Sequence, residues 1–231
     1  MIKKGLRIYL MCILAAAALG VGAYAVYDRC VHTPEYALRE IRAAVSAKDE
    51  ALFAAYVDVD ALLVDMHENT TALLAEHIQE LHERHPEDWF FRHDRAFMYD
   101  YMQKRRERDV AMAHAMLTYY FDDARVPVTR EDGAARWGSD ELREFAAHYT
   151  LTVEDVGDRA DEMEIACRIR GDESIYGRLM PEGTLLLRFK RWTDGDGRYR
   201  LTGARAAHAD VRGLFAFVDG AERYWALQGW D

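Results

Sequence analysis

At Tyr149 the spacing of apolar residues changes from helical to alternating, and this switch constrains the fold more than any other feature of the chain. A segment that is apolar every third or fourth residue buries one face as a helix, whereas strict alternation buries one face as a strand. Beyond Tyr149, DEMEIACRIRG sets Met163, Ile165, Cys167 and Ile169 against Glu162, Glu164, Ala166 and Arg168. GTLLLRFKRW repeats the pattern with Leu185, Leu187 and Phe189 inward. DGDG at Asp194 to Gly197 turns the chain, and Tyr199 and Leu201 carry the inward face of RYRLTG. With YTLTVEDV as a further strand, sequential order and short turns imply a four-stranded antiparallel meander over residues 149–207.

Before the switch, residues 28–148 read as helices. Thr33 is placed as an N-cap ahead of Pro34, and Leu38, Ile41 and Val45 follow at helical spacing. Asp49 caps EALFAAYV, and Asp58 caps a third helix with Val57 and Leu62 as its hydrophobic staple. Its stripe is expected along Leu62, Met66, Thr70, Leu73, His77 and Leu81, ending at His85 before Pro86. Helical spacing continues through Phe90, Phe97 and Tyr101 and again through Val110, Ala113, Leu117 and Tyr120. The intervening KRRERD is either the solvated face of one long helix or a short break. Ser139 is expected to cap SDELREFAAHY. After the sheet, Val211, Leu214, Val218, Ala221 and Trp225 return to helical spacing, giving a C-terminal helix over 208–231 that packs on the same domain. Gly213 and Gly220 each oppose that helix by about 1 kcal/mol.

The fold class is therefore α+β, with several amphipathic helices, a four-stranded antiparallel meander and a C-terminal helix, all preceded by an expected transmembrane helix. Ile8 to Tyr27 is a run of 20 uncharged residues, long enough as a helix to cross a bilayer core of roughly 30 Å. Lys3, Lys4 and Arg7 precede it without an acid, so the N-terminus is expected in the cytoplasm and the remainder outside. Residues 1–27 then form a signal anchor, with the membrane itself as partner through residues 8–27. The alternative is cleavage after Ala25, at Ala23-Tyr24-Ala25, giving a secreted or periplasmic chain. Neither Cys12 nor Cys30 follows a small residue, which disfavours lipid modification.

Of the 30 basic residues three stand before the uncharged run, leaving 27 against 40 acidic ones in the exported part. That balance excludes nucleic acid as a partner. The acid is concentrated early, with 16 basic and 28 acidic side chains in residues 28–159. Cys30 and Cys167 are too few for a disulfide framework. They either pair or remain a free thiol and a buried apolar residue.

The segment TPEYALREIRAAVSAKDEALFAAYVDVDAL, from Thr33 to Leu62, resembles the opening of bacterial membrane-anchored domains of unknown function. Those domains have a helix, a Lys-Asp step and an aromatic-rich short helix ending in Tyr-Val-Asp. The resemblance implies a curved antiparallel sheet after the helices, in a layout similar to the nuclear-transport-factor-2-like and cystatin-like superfolds. It brings no catalytic motif.

Candidate chemistry is sparse. In HIQELHERHPEDWFFRH, His82 and His85 share a helical face at i, i+3 and are the weak metal candidates, one residue short of the HExxH spacing. No Gly-x-Ser-x-Gly, Cys-x-x-Cys or glycine-rich phosphate loop occurs, so no catalytic residue and no cofactor is expected. Carboxylate pairs such as Asp122-Asp123 and Asp60 with Asp65 are background in a chain this acidic. Lys104-Arg105-Arg106-Glu107-Arg108 reads as an exposed helix face paired with Glu107 and Asp109, the alternative being a patch for anionic lipid or polymer.

The outward face of the sheet is more informative. Alternation places Arg168, Arg170, Arg188, Lys190, Arg198 and Arg200 on one side, where like charges repel unless acids or a partner answer them. Either acidic helices of the chain cover this face, or it meets a protein partner or a second copy. The expected function is an anchored extracytoplasmic interaction or ligand-binding module. The alternatives are a small hydrolase or isomerase with an acid/base pair in the sheet–helix concavity, and a self-associating envelope protein.

Overall fold

The structure, a computed structural model, describes residues 31–159, 162–193, 195–207 and 211–228. The expected anchor, its alternative cleavage site and Cys30 lie outside these residues. No helix among the described residues is long and apolar enough to cross a membrane.

Helices come first. Pro34–Ala47 (α1) starts where Thr33 accepts the Tyr36 amide proton, and it ends at Lys48, whose φ of 53° turns the chain out of the helix. Glu50–Tyr56 (α2) is capped by Asp49, and Val59–Glu76 (α3) by Asp58. The third helix stops at Glu76, nine residues before the end at His85 that its sequence stripe suggests. His77 leaves helical geometry at φ −109° and ψ 20°, and Ile78–Arg84 (α4) restarts after it. The buried face is also displaced from the expected stripe: Thr71, Ala75, Ile78 and Leu81 are buried, whereas Met66 and Thr70 are exposed.

After a short 3-10 turn at Phe90–Arg92, Arg95–Phe121 (α5) runs without interruption through KRRERD. Lys104, Arg105 and Arg106 pair there with Asp100, Asp109 and Glu68 as a solvated face. Arg130–Ala147 (α6) begins a full nine residues before Ser139. Its cap is the reciprocal box in which Thr129 accepts from the Asp132 amide and Asp132 accepts from the Thr129 amide. Ser139 is instead buried inside α6, beside Gly138, where the missing side chain makes room for Met116 of α5.

Tyr149–Arg159 (β1), Glu162–Gly171 (β2), Gly183–Arg191 (β3) and Tyr199–Ala206 (β4) form one antiparallel sheet in the order β1-β2-β3-β4. Ile165 pairs with Leu187 and Met163 with Phe189, so their side chains share one face. That face packs on α1 and α2 through Leu38, Ile41, Tyr56, Ile165, Cys167, Leu187, Phe189 and Leu201. Val211–Gln228 (α7) closes a second cluster by laying Leu214 against Ala75, Ile78, Leu81, Phe91 and Met98. The fold is thus α+β, with helices preceding the sheet and one helix following it.

Candidate functional site

The charged face of the sheet meets α3 at its β4 side, and a cleft opens between them. Two departures from regular β structure shape it. The β3–β4 register shifts between Arg188 and Phe189, so that Arg188 faces Gly203 while Phe189 faces Leu201 and Thr202 is the extra residue. Gly203 then offers no side chain where the Asp65 carboxylate comes down from α3; a Cβ there would meet it at 2.5 Å.

Asp65 uses the space fully. One oxygen accepts from the Arg188 guanidinium at 2.6 Å, and the other from the Ala204 amide at 3.1 Å and from Asn69 at 2.9 Å. The free edge of β4 is covered from the same side: Val57 bridges to Leu201, and the Asp58 amide donates to the Leu201 carbonyl at 2.9 Å. Around this point the cleft measures about 580 Å³ and is lined by Asp58, Asp65, Glu162, Arg188, Lys190 and Trp192, among others. A smaller recess next to it, bounded by Asn69, Glu164 and Arg205, shares Glu162 and Arg188 with it.

The structure divides the six basic residues singled out by alternation. Arg188 is drawn to Asp65 and stands 3.9 Å from Glu162. Arg168 is held by Glu154 and, at 3.4 Å, by Glu182. Arg200 lies 4.2 Å from the centre of the Trp192 ring. Arg198 precedes β4, pairs with Asp196 at 2.8 Å and reaches the ring of the core residue Tyr56. It therefore does not join the others. Arg170 and Lys190 are exposed and form no side-chain hydrogen bond or ion pair with a described residue. Arg205, which sequence alternation did not place on this face, joins it because the bulge shifts the register, and it pairs with Glu164 at 3.2 Å.

The weak metal pair does not assemble. His82 is exposed, while His85 is half-buried and meets Asp219 and Glu222 of α7. The His85 ring meets Glu222 on Nδ1 at 2.8 Å and Asp219 on Nε2 at 3.4 Å, and Arg84 grips Asp219 as well. One imidazole between two carboxylates, beside a guanidinium, is a polar clamp joining α4 to α7. A cation at the carboxylates would have to displace Arg84.

A serine, a histidine and an aspartate also converge at the end of β2. Asp172 and Ser174 both approach His148 Nδ1, at 2.8 and 3.0 Å, while Glu144 lies 3.5 Å from Nε2. A relay needs the nucleophile and the acid on opposite ring nitrogens, whereas Ser174 and Asp172 share one and Glu144, on the other, stands at 3.5 Å. Ser174 is also committed as acceptor to the Gly177 amide. The group fastens the turn after β2 to the start of β1. Its hydrogen bond to Asp172 holds the His148 pKa above its ordinary value, and hydrogen bonds from Ser174 and His148 push the Asp172 carboxyl down to about 2.

Comparison with known protein families, with curated proteins and with solved structures finds no match to this chain.

Proposed function

We propose that the chain is a membrane-anchored, extracytoplasmic binding module that takes a polar ligand in the cleft between α3 and the charged face of the sheet. The anchor is the uncharged run of residues 8–27, and the resemblance of Thr33 to Leu62 to anchored domains supports the same placement. The observation that carries the binding reading is the state of the cleft's charges. Asp65 is spent on Arg188, Glu68 on Arg106 and Asp58 on the Ala61 amide, while Glu162 faces Arg188. Lys190 alone among the charged lining residues has no such partner among the described residues. A cleft whose acids are already committed lacks the spare acid/base pair that a hydrolase or isomerase needs. Its lining also holds Lys190, which pairs with none of the described residues, and the Trp192 ring, a combination that suits a ligand with a negative group and a polar body.

The test is a titration of the isotopically labelled full chain, in detergent micelles, with citrate, glucuronate and an acidic tripeptide. Amide shifts confined to Asp65, Lys190, Trp192 and Thr202, and abolished by Lys190→Glu, are expected for at least one of the three. Shifts scattered over the surface, or unaffected by Lys190→Glu, would refute the cleft as the site.

A further inference from the structure

The hairpin between β3 and β4 sits beside the point where the described chain begins. His32 Nε2 lies 2.8 Å from the Asp196 carbonyl oxygen, and the Gly197 position faces the same ring. The uncharged run ends at Tyr27, so the five residues Asp28 to His32 separate it from this contact. Five residues reach about 7.5 Å as a helix and roughly 17 Å fully extended. The headgroup zone on each side of a hydrocarbon core is roughly 5–8 Å deep. As a helix the connection holds the hairpin end at the upper edge of that zone, and fully extended it sets the height of the hairpin end at no more than about 10 Å above it.

The side chains gathered there suit such a place. Residues 190–200 contain four basic and two acidic side chains, in a chain whose formal charge is −10. Arg198 answers Asp196. The Arg191 Nε donates to the Gly197 carbonyl, which fixes that guanidinium at the hairpin, and Lys190 is exposed and pairs with none of the described residues. Trp192 is exposed, with Arg200 stacked over its ring. Tryptophan with flanking Lys and Arg is the combination that settles at a membrane–water interface, where the ring takes the headgroup level and the cations meet lipid phosphates.

We propose that the β3–β4 hairpin end rests on the outer surface of the bilayer, with Trp192 among the headgroups and Lys190, Arg191 and Arg200 against anionic phospholipids. The inference rests on the anchor reading and goes beyond it: the tether and the hairpin together fix how the domain stands on the membrane. Because Lys190, Arg191 and Trp192 also line the cleft, the cleft opens at the lipid surface rather than away from it.

The full chain is to be reconstituted into nanodiscs of phosphatidylcholine, with and without phosphatidylglycerol, using lipids brominated near the headgroup end of the acyl chain. Bromine quenches nearby tryptophan emission. Quenching is expected, stronger with phosphatidylglycerol, and Trp192→Phe should remove it although it takes away only one of 5 tryptophans. The double variant Lys190→Glu/Arg191→Glu should abolish the gain from phosphatidylglycerol. A chain that fails to enter the nanodiscs would overturn the anchor and the contact together. A chain that enters, but whose quenching is absent or survives Trp192→Phe, would overturn the contact and leave the anchor standing. A phosphatidylglycerol effect unchanged in the double variant would overturn the headgroup contact of the cations.

Discussion

Asp65 on α3 and Arg188 on β3 meet at 2.6 Å across 123 positions of sequence, and their pairing joins the helical half of the domain to its sheet. The same carboxylate accepts the Ala204 amide, so its removal strands both a guanidinium and an edge-strand N–H. Asp65→Ala is expected to lower stability by about 1–3 kcal/mol, measured by chemical denaturation. Gly203→Ala should mimic it by pressing a methyl group against the carboxylate. Equal stability of both variants to the parent would show that this junction contributes nothing.

Leu187 is buried at the centre of the face that packs on α1 and α2. Truncation to Ala should cost about 2–5 kcal/mol through lost burial and a residual cavity. A denaturation midpoint that does not move would contradict the core described here.

Which parts of this were legible in sequence follows the range of the interactions. The strands show themselves through neighbours two apart, and α1 through the adjacent pair Thr33 and Pro34, because these signals are local. The start of α6 was missed although Thr129 and Asp132 carry a local signal, since Gly133 and Gly138 weaken the helical pattern and Ser139 offers a competing cap. The break at His77 has no glycine or proline to mark it; packing of Ala75, Ile78 and Leu81 against α7 sets it. The Asp65–Arg188 pair was invisible because nothing local links the two residues. Gly203 inside an alternating strand was the one available hint, since a glycine there marks close approach of another group.

The fastening at His148 predicts a pH signature. The folded His148 pKa lies above its unfolded value of 6.5, so its contribution is complete below that pH and is lost as pH rises through the folded value. Asp172 is lowered from 3.8 to about 2, so its contribution is present above pH 3.8 and is lost as pH falls towards 2. Both contributions coexist between pH 3.8 and 6.5. The difference in melting temperature between the parent and His148→Asn should be largest in that window and shrink towards alkaline pH. A difference that grows above pH 8 would contradict the pairing.

Gly220 offers a test in which propensity and packing disagree. In an isolated helix, Gly→Ala gains about 1 kcal/mol. In α7 a Cβ at this position would overlap the Leu179 carbonyl oxygen, a backbone atom that cannot swing aside. Gly220→Ala is therefore expected to destabilise, with faster amide hydrogen exchange in α7 and unchanged exchange in the sheet. A more stable variant would mean that α7 does not dock here.

Cys167 lies fully buried at the middle of β2, and burial raises the pKa of its thiol. Access and ionisation are withheld together, so an oxidant or alkylating reagent reaches this sulfur only when the sheet parts from α1 and α2. The folded domain thus shields this thiol, which is free among the described residues. The rate at which Cys167 is modified becomes a direct clock for opening of the core, readable by mass spectrometry in intact cells.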